Sequence, residues 1–208
     1  MKSLEGNGLL HVLDMMINER IYLSTYLHMN DVGEGDWDHG NSDPNEKRYL
    51  DASKSVRSIV KKQRFTCFLE AAENPLMWAH YAGGFSGVAL KYELDLSIHD
   101  IRKIDYDGVP IVSIKQLEQI TNYEIKPQDV GILRSKAPCW QYESEWRLYS
   151  SSEDQYITGI KPQALILGLS RDTTAFDILK EIAVKRDIKI GLLEKKFSDD
   201  TYYEIEYA

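Results

Sequence analysis

Apolar positions divide the chain into segments whose period changes from helical to strand-like and back. Leu9, Leu10, Val12, Leu13, Met16 and Ile17 recur at helical spacing, and IYLSTYL, residues 21–27, is rich in strand formers. Residues 30–46 carry glycine, aspartate, asparagine and proline with almost no apolar periodicity, which predicts a long, mobile, acidic surface loop. Tyr49, Leu50, Ser53, Val56 and Val60 then mark one side of a second helix, and RFTCFLE, residues 64–70, predicts the next strand. In ENPLMWAHYAGG, residues 73–84, Asn74 can cap a short helix that starts at Pro75 and closes at Gly83.

Val88, Leu90 and Tyr92 alternate as a half-buried strand should, and RKIDYD, residues 102–107, is expected beside them. A helix follows over 113–121. ALILGL, residues 164–169, suits an inner strand, and Ala175, Phe176, Leu179, Ile182 and Ala183 predict a helix behind an Asp172 cap, ending near Arg186. IKIGLLEKKF and TYYEIEY, joined by the turn-like SDD, read as a terminal hairpin. With no internal repeat and no long linker, the expectation is one α+β domain over residues 1–208, with a mixed or antiparallel sheet and flanking helices.

Charge and cysteine content narrow the picture. The net charge of −8 repels phosphate backbones and anionic headgroups, so neither nucleic acid nor membrane is expected as a partner. No stretch approaches the roughly eighteen apolar residues of a membrane span, and the chain reads as cytoplasmic. Cys67 and Cys139 lack a CxxC partner, which predicts two reduced, buried thiols rather than a zinc site or a disulfide. Asp36, Asp38, His39 and Asp43 offer oxygen and nitrogen ligands, but Lys47 stands where a calcium loop needs its closing glutamate, so the segment reads as solvated and no metal is expected.

Three groups of side chains could carry chemistry. His80 shares a helical face with Leu76 and Met77, the pattern of a hydrogen-bonded core histidine, and Trp78 and Tyr81 read first as packing. WQYESEWRLY, residues 140–149, is more specific. Extended, it would send Trp140, Tyr142, Trp146 and Leu148 to the core and Glu143, Glu145 and Arg147 to the other face. Carboxylates two apart on a strand lie about 7 Å from each other, close enough for one to orient a ligand while the other does acid–base or electrostatic work. The alternative is a structural ion pair between Glu145 and Arg147.

IYLSTYLHMNDVGEG, NPLMWAHYAGGFSGVALKY, KAPCWQYESEWRL and ALILGLS, taken in that order, resemble an uncharacterised bacterial family built on a domain of unknown function. Its marks are M-W-x-H-Y-A and W-x-Y-E-x-E-W-R. The family's N-D-P-aromatic-E is altered here to Asn30-Asp31-Val32-Gly33-Glu34. The order of strands and helices, with an E-x-E entering a late strand, is also distantly similar to the ADP-ribosyltransferase fold. That similarity implies NAD as substrate, with no resident cofactor required. It casts Glu145 as the glutamate that holds the nicotinamide ribose and Glu143 as its orienting partner. Ser24 and Thr25 would support the nicotinamide pocket, Trp78 or Tyr81 would stack on the ring, and His80 and Arg147 would complete the cofactor site. Two functions follow: an NAD- or nucleotide-binding transferase or glycohydrolase, active or degenerate, and a non-catalytic protein-binding or accessory module of a mobile element or defence locus.

Overall fold

The computed structural model describes residues 1–31, 33–150, 154–170, 174–197 and 201–207. Helices and strands combine in antiparallel and mixed sheets, so the α+β class expected from the sequence is the one adopted. Contacts gather the chain into two compact units: Met1–Tyr22 with Ala71–Asp95 and Tyr156–Ala208, and Leu23–Glu70 with Leu96–Gln155. Among the described residues, no helix is long and apolar enough to cross a membrane.

The first unit is built on a four-stranded sheet of β3 (Val88–Lys91), β7 (Ala164–Leu167), β8 (Lys189–Phe197) and β9 (Thr201–Tyr207), in that order. β7 and β8 run parallel, and α5 (Thr174–Lys185) lies between them in sequence. The other ladders are antiparallel. All four residues of β7 are buried because its two faces meet different cores. Leu165 and Leu167 pack with Val12 and Met16 of α1 (Gly8–Ile17) and Phe176 of α5, while Ile166 packs with Trp78 of α3 (Pro75–Tyr81). A strand buried on both sides has no polar alternation, which is why ALILGL reads as a continuous apolar run. A separate ribbon pairs β1 (Arg20–Tyr22) with β6 (Tyr156–Thr158).

α3 forms as its sequence predicts. The Asn74 side chain accepts a hydrogen bond from the Leu76 N–H, Pro75 opens the helix, and Gly83, at φ +56°, takes the left-handed conformation that an L side chain resists. The helix turns Met77 and Trp78 inward, and Trp78 Nε1 donates to the Ala72 carbonyl. His80 is exposed, not part of the core. With only seven residues, one face suffices to hold the helix, and the large indole takes it.

The second unit holds the antiparallel sheet β2 (Phe65–Leu69), β5 (Glu145–Tyr149) and β4 (Asp100–Lys103). α2 (Lys47–Lys62) and α4 (Ile114–Thr121) contribute Val56, Val60, Leu117 and Ile120 to a core shared with Phe65 and Tyr149. A capping box on Ser113 and Gln116 starts α4.

Several expectations are corrected. The strand of RKIDYD pairs with β5, not with β3. IYLSTYL yields only β1, followed by a bridge from Ser24 to Phe65 and a 3₁₀ turn at Tyr26–His28. Cys67 and Cys139 are both exposed. The described residues of 30–46 form no regular element, yet Trp37 enters the core with its Nε1 donating to the Tyr49 hydroxyl, and Asp38 bridges to Ile111. The Asp172 cap, the SDD turn and Val32 lie outside the described residues.

Two substitutions grade these features. Asn74→Ala should lower unfolding free energy by about 1 kcal/mol through loss of the cap. Trp78→Ala should lower it by about 3 to 5 kcal/mol, because a fully buried indole leaves a large cavity. Urea unfolding of the two variants measures both.

Candidate functional site

The stretch that carries the sequence's candidate chemistry does not run extended throughout. Pro138 opens a 3₁₀ helix over Pro138–Glu143, Ser144 turns the chain at φ +44°, and β5 begins at Glu145. Proline fixes its own φ near the value a helical first turn needs, which favours the turn over a strand. Trp140, Tyr142 and Glu143 therefore precede the strand, and Trp140 is half-buried, not core-facing. Within β5 the alternation holds, but its sense differs from expectation. Glu145, Arg147 and Tyr149 are all buried, as is Leu148, whereas Trp146 is half-buried and donates through Nε1 to Glu70 at 2.8 Å.

Arg147, with no exposed surface, is the centre of the arrangement. Its Nε donates to Glu145 Oε1 at 2.6 Å, and its two terminal nitrogens grip both oxygens of Glu34 at 2.8 and 2.5 Å. Nη1 also donates to the Leu133 carbonyl at 2.7 Å. The Tyr149 hydroxyl reaches the same carbonyl at 2.6 Å. Leu133 sits at φ +63°, a conformation costly for a non-glycine residue, and this orientation gives its carbonyl two donors. Below the guanidinium lies the Phe65 ring, 4.9 Å from Cζ.

Lys136 extends the network. Its ammonium donates to Glu143 Oε2 at 2.5 Å and Glu145 Oε2 at 3.2 Å, and stands 4.7 Å over the Trp140 ring. Glu143 and Glu145, separated by the Ser144 turn, thus meet at one cation. The Glu145 backbone N–H donates to the Tyr106 hydroxyl at 2.8 Å. Burial alone would push the Glu145 carboxyl up, but the charge and hydrogen bond of Arg147, with the charge of Lys136, hold it down at about 2. Burial works against the charge on Lys136 as well, and Glu145 and Glu143 outweigh it and raise the ammonium.

Two members of this network were not singled out from the sequence. Glu34 is the last position of the altered N-D-P-aromatic-E, and Lys136 opens KAPCWQYESEWRL, so both lie inside quoted motifs. Their signal was a charged residue in a segment otherwise rich in turn formers and aromatics. Gly35, at φ +78°, follows Glu34 where a Cβ would stand 3.3 Å from both Leu133 and Val60, so the loop lies close against the core.

The structure brings Glu143, Glu145 and Arg147 together. Ser24 and Thr25 belong to the same unit, but their hydroxyls are engaged locally: Ser24 Oγ donates to the Thr25 carbonyl and Thr25 Oγ1 lies 3.3 Å from His28 Nδ1. Trp78, His80 and Tyr81 belong to the other unit. Cys67, opposite Arg147 in the β2–β5 register, is exposed, and its Sγ lies 4.0 Å from Met29 Sδ. Compared with protein families, with curated proteins and with solved structures, the chain finds no match.

Arg147→Lys keeps the charge but cannot fork to Glu34 and also reach Leu133 and Glu145. The expected loss is about 3 to 5 kcal/mol, because carboxylates are left buried without their partner. For Glu145, the folded-state pKa lies below the ordinary 4.5, so the stabilisation is present above that value and is lost as pH falls toward about 2. Glu145→Gln should therefore cost about 3 kcal/mol at pH 7, and the gap from the parent should close between about pH 4.5 and 2. Urea unfolding of both proteins across that range reads the convergence. A gap independent of pH would show that the carboxylate's charge is not what stabilises the fold.

Proposed function

We propose that the protein is a non-catalytic protein-binding module and that the Glu34–Arg147–Glu145–Lys136–Glu143 network serves as a structural clamp inside its second unit. One observation carries this reading. Both oxygens of Glu145 are engaged, Oε1 by Arg147 and Oε2 by Lys136, in a residue 3 % exposed. A glutamate that stabilises developing positive charge on a ribose must face that ribose, and its countercharge must not already be spent on a guanidinium and an ammonium.

The second reading is an NAD- or nucleotide-binding protein of ADP-ribosyltransferase type. It is favoured by the exposed Cys67 opposite Arg147 and by a carboxylate held ionised, as an electrostatic role at the ribose requires. In that case Glu145 would exchange one cation for the ligand when NAD binds.

Calorimetric titration with NAD and chromatography for released nicotinamide separate the two. The module reading expects no saturable heat and no nicotinamide above the uncatalysed background. It also expects Glu145→Gln to lower the melting temperature. A parent protein that releases nicotinamide, with a Glu145→Gln variant that melts normally and releases none, would establish the transferase reading instead.

A further inference from the structure

The two edges of the four-stranded sheet in the first unit are treated differently. At the β3 edge, Lys2 exchanges both backbone hydrogen bonds with Val88, at 2.7 and 2.9 Å. At the other edge, among the described residues, β9 pairs as a strand with β8 and no isolated bridge lies on its outer side. Open edges are usually blunted by lysine, proline, a bulge or a short strand. β9 is seven residues long, reads TYYEIEY, contains neither lysine nor proline, and runs in unbroken register from Thr201 opposite Phe197 to Tyr207 opposite Gly191. Tyr202 and Tyr207 are about half exposed, at 47 % and 49 %.

Its side chains define what would fit. On one face, Tyr203 and Ile205 pack with Leu193 and Phe85, so the strand is anchored to the sheet. On the other face stand Glu204 and Glu206, whose side chains are 44 % and 52 % exposed, with Glu194 directly opposite Glu204 in the register. Lys196 reaches both Glu204 and Glu206. This face of the edge is therefore acidic, and like charges opposite one another across a ladder are destabilising.

We propose that β9 is a docking edge that accepts an extended, basic segment of a partner protein as a fifth, outer strand. The inference rests on the binding-module reading and names its partner's chemistry: lysine or arginine at alternate positions, beside Glu204 and Glu206, with apolar residues between them, beside Tyr203, Ile205 and Tyr207. Backbone hydrogen bonds along β9 would supply affinity and the alternate side chains specificity. A second copy of this chain fits poorly. Antiparallel pairing of β9 with itself about Glu204 sets Glu204 against Glu204, and the net charge of −8 opposes approach of two copies.

The test uses the full chain and a capped heptapeptide of alternating lysine and valine as probe, read by hydrogen exchange of individual amides and by calorimetry at two salt concentrations. Expected are slowed exchange confined to residues 201–207 and binding that weakens with salt. Affinity should disappear when alternate peptide nitrogens are methylated, since these can no longer join the ladder. The Glu204→Lys/Glu206→Lys double variant should bind the lysine peptide about tenfold or more weakly and prefer a glutamate–valine peptide. Binding that survives methylation would be charge attraction alone and would overturn the proposal. So would protection away from β9, no protection at millimolar peptide, or a dimer in sedimentation whose exchange protection lies on β9. Failure here leaves the binding-module reading standing, because that reading falls to nicotinamide release and not to the peptide.

Discussion

A single guanidinium joins three parts of the second unit that are far apart in sequence. Arg147 ties its own strand to the loop at Glu34, 113 residues away, and to the Leu133 carbonyl. Each bond constrains a different piece of backbone, and none could be supplied by an apolar side chain of the same volume. Hydrophobic contact would hold the segments near the sheet without fixing where they lie. The planar fork fixes both oxygens of Glu34 at once, which sets the position of the loop as well as its proximity. The left-handed Leu133 belongs to the same constraint: its strain persists because Arg147 and Tyr149 both donate to the carbonyl it presents.

Burying charge in this way is not economical for stability alone, since apolar residues of similar size often do as well. What the network adds is register. Along β5 the inward face passes from Tyr149, which packs with Phe65, to Arg147 and then Glu145, so one strand carries an aromatic core at one end and an ionic core at the other. A slip by one residue would expose the ion pairs and bury Trp146, whose indole nitrogen is committed to Glu70. The alternation in EWRLY thus specifies the strand through charge as strictly as hydrophobic alternation does elsewhere.

Much of the fold was legible because local signals and burial agree. Asn74 and Pro75 start α3 as their chemistry requires, ALILGL is an inner strand, and most of the periodic residues of α1, α2 and α5 face the cores, Leu10, Ile17 and Leu50 being exposed instead. The errors arose where sequence pattern and burial part company. Strand partners depend on contacts between distant segments, so RKIDYD could be read as a strand but not assigned to β5. The turn that separates Glu143 from Glu145 hides behind an apparent alternation that the preceding Pro138 interrupts. A buried charge looks in sequence like an exposed one, so the face of EWRLY could be divided correctly and still be assigned the wrong side. Glu34 lay in a segment whose composition is that of a solvated loop, and only its distant partner distinguishes it.

The same physics bears on how the two sets of glutamates differ. Glu143, Glu145 and Glu34 lie in low-dielectric surroundings, where unpaired charge is costly, and each is matched to a cation at hydrogen-bonding distance. Glu204 and Glu206 face solvent, where screening lets them share Lys196 at little cost. A new ligand gains little by competing for the first set, because it must first separate buried ion pairs. The second set can be approached without breaking the fold, and an incoming lysine adds to the existing pairing rather than dismantling it. Recognition by charge is therefore easier at an open acidic edge than at a closed ionic core, even though the core holds the residues that look more like chemistry.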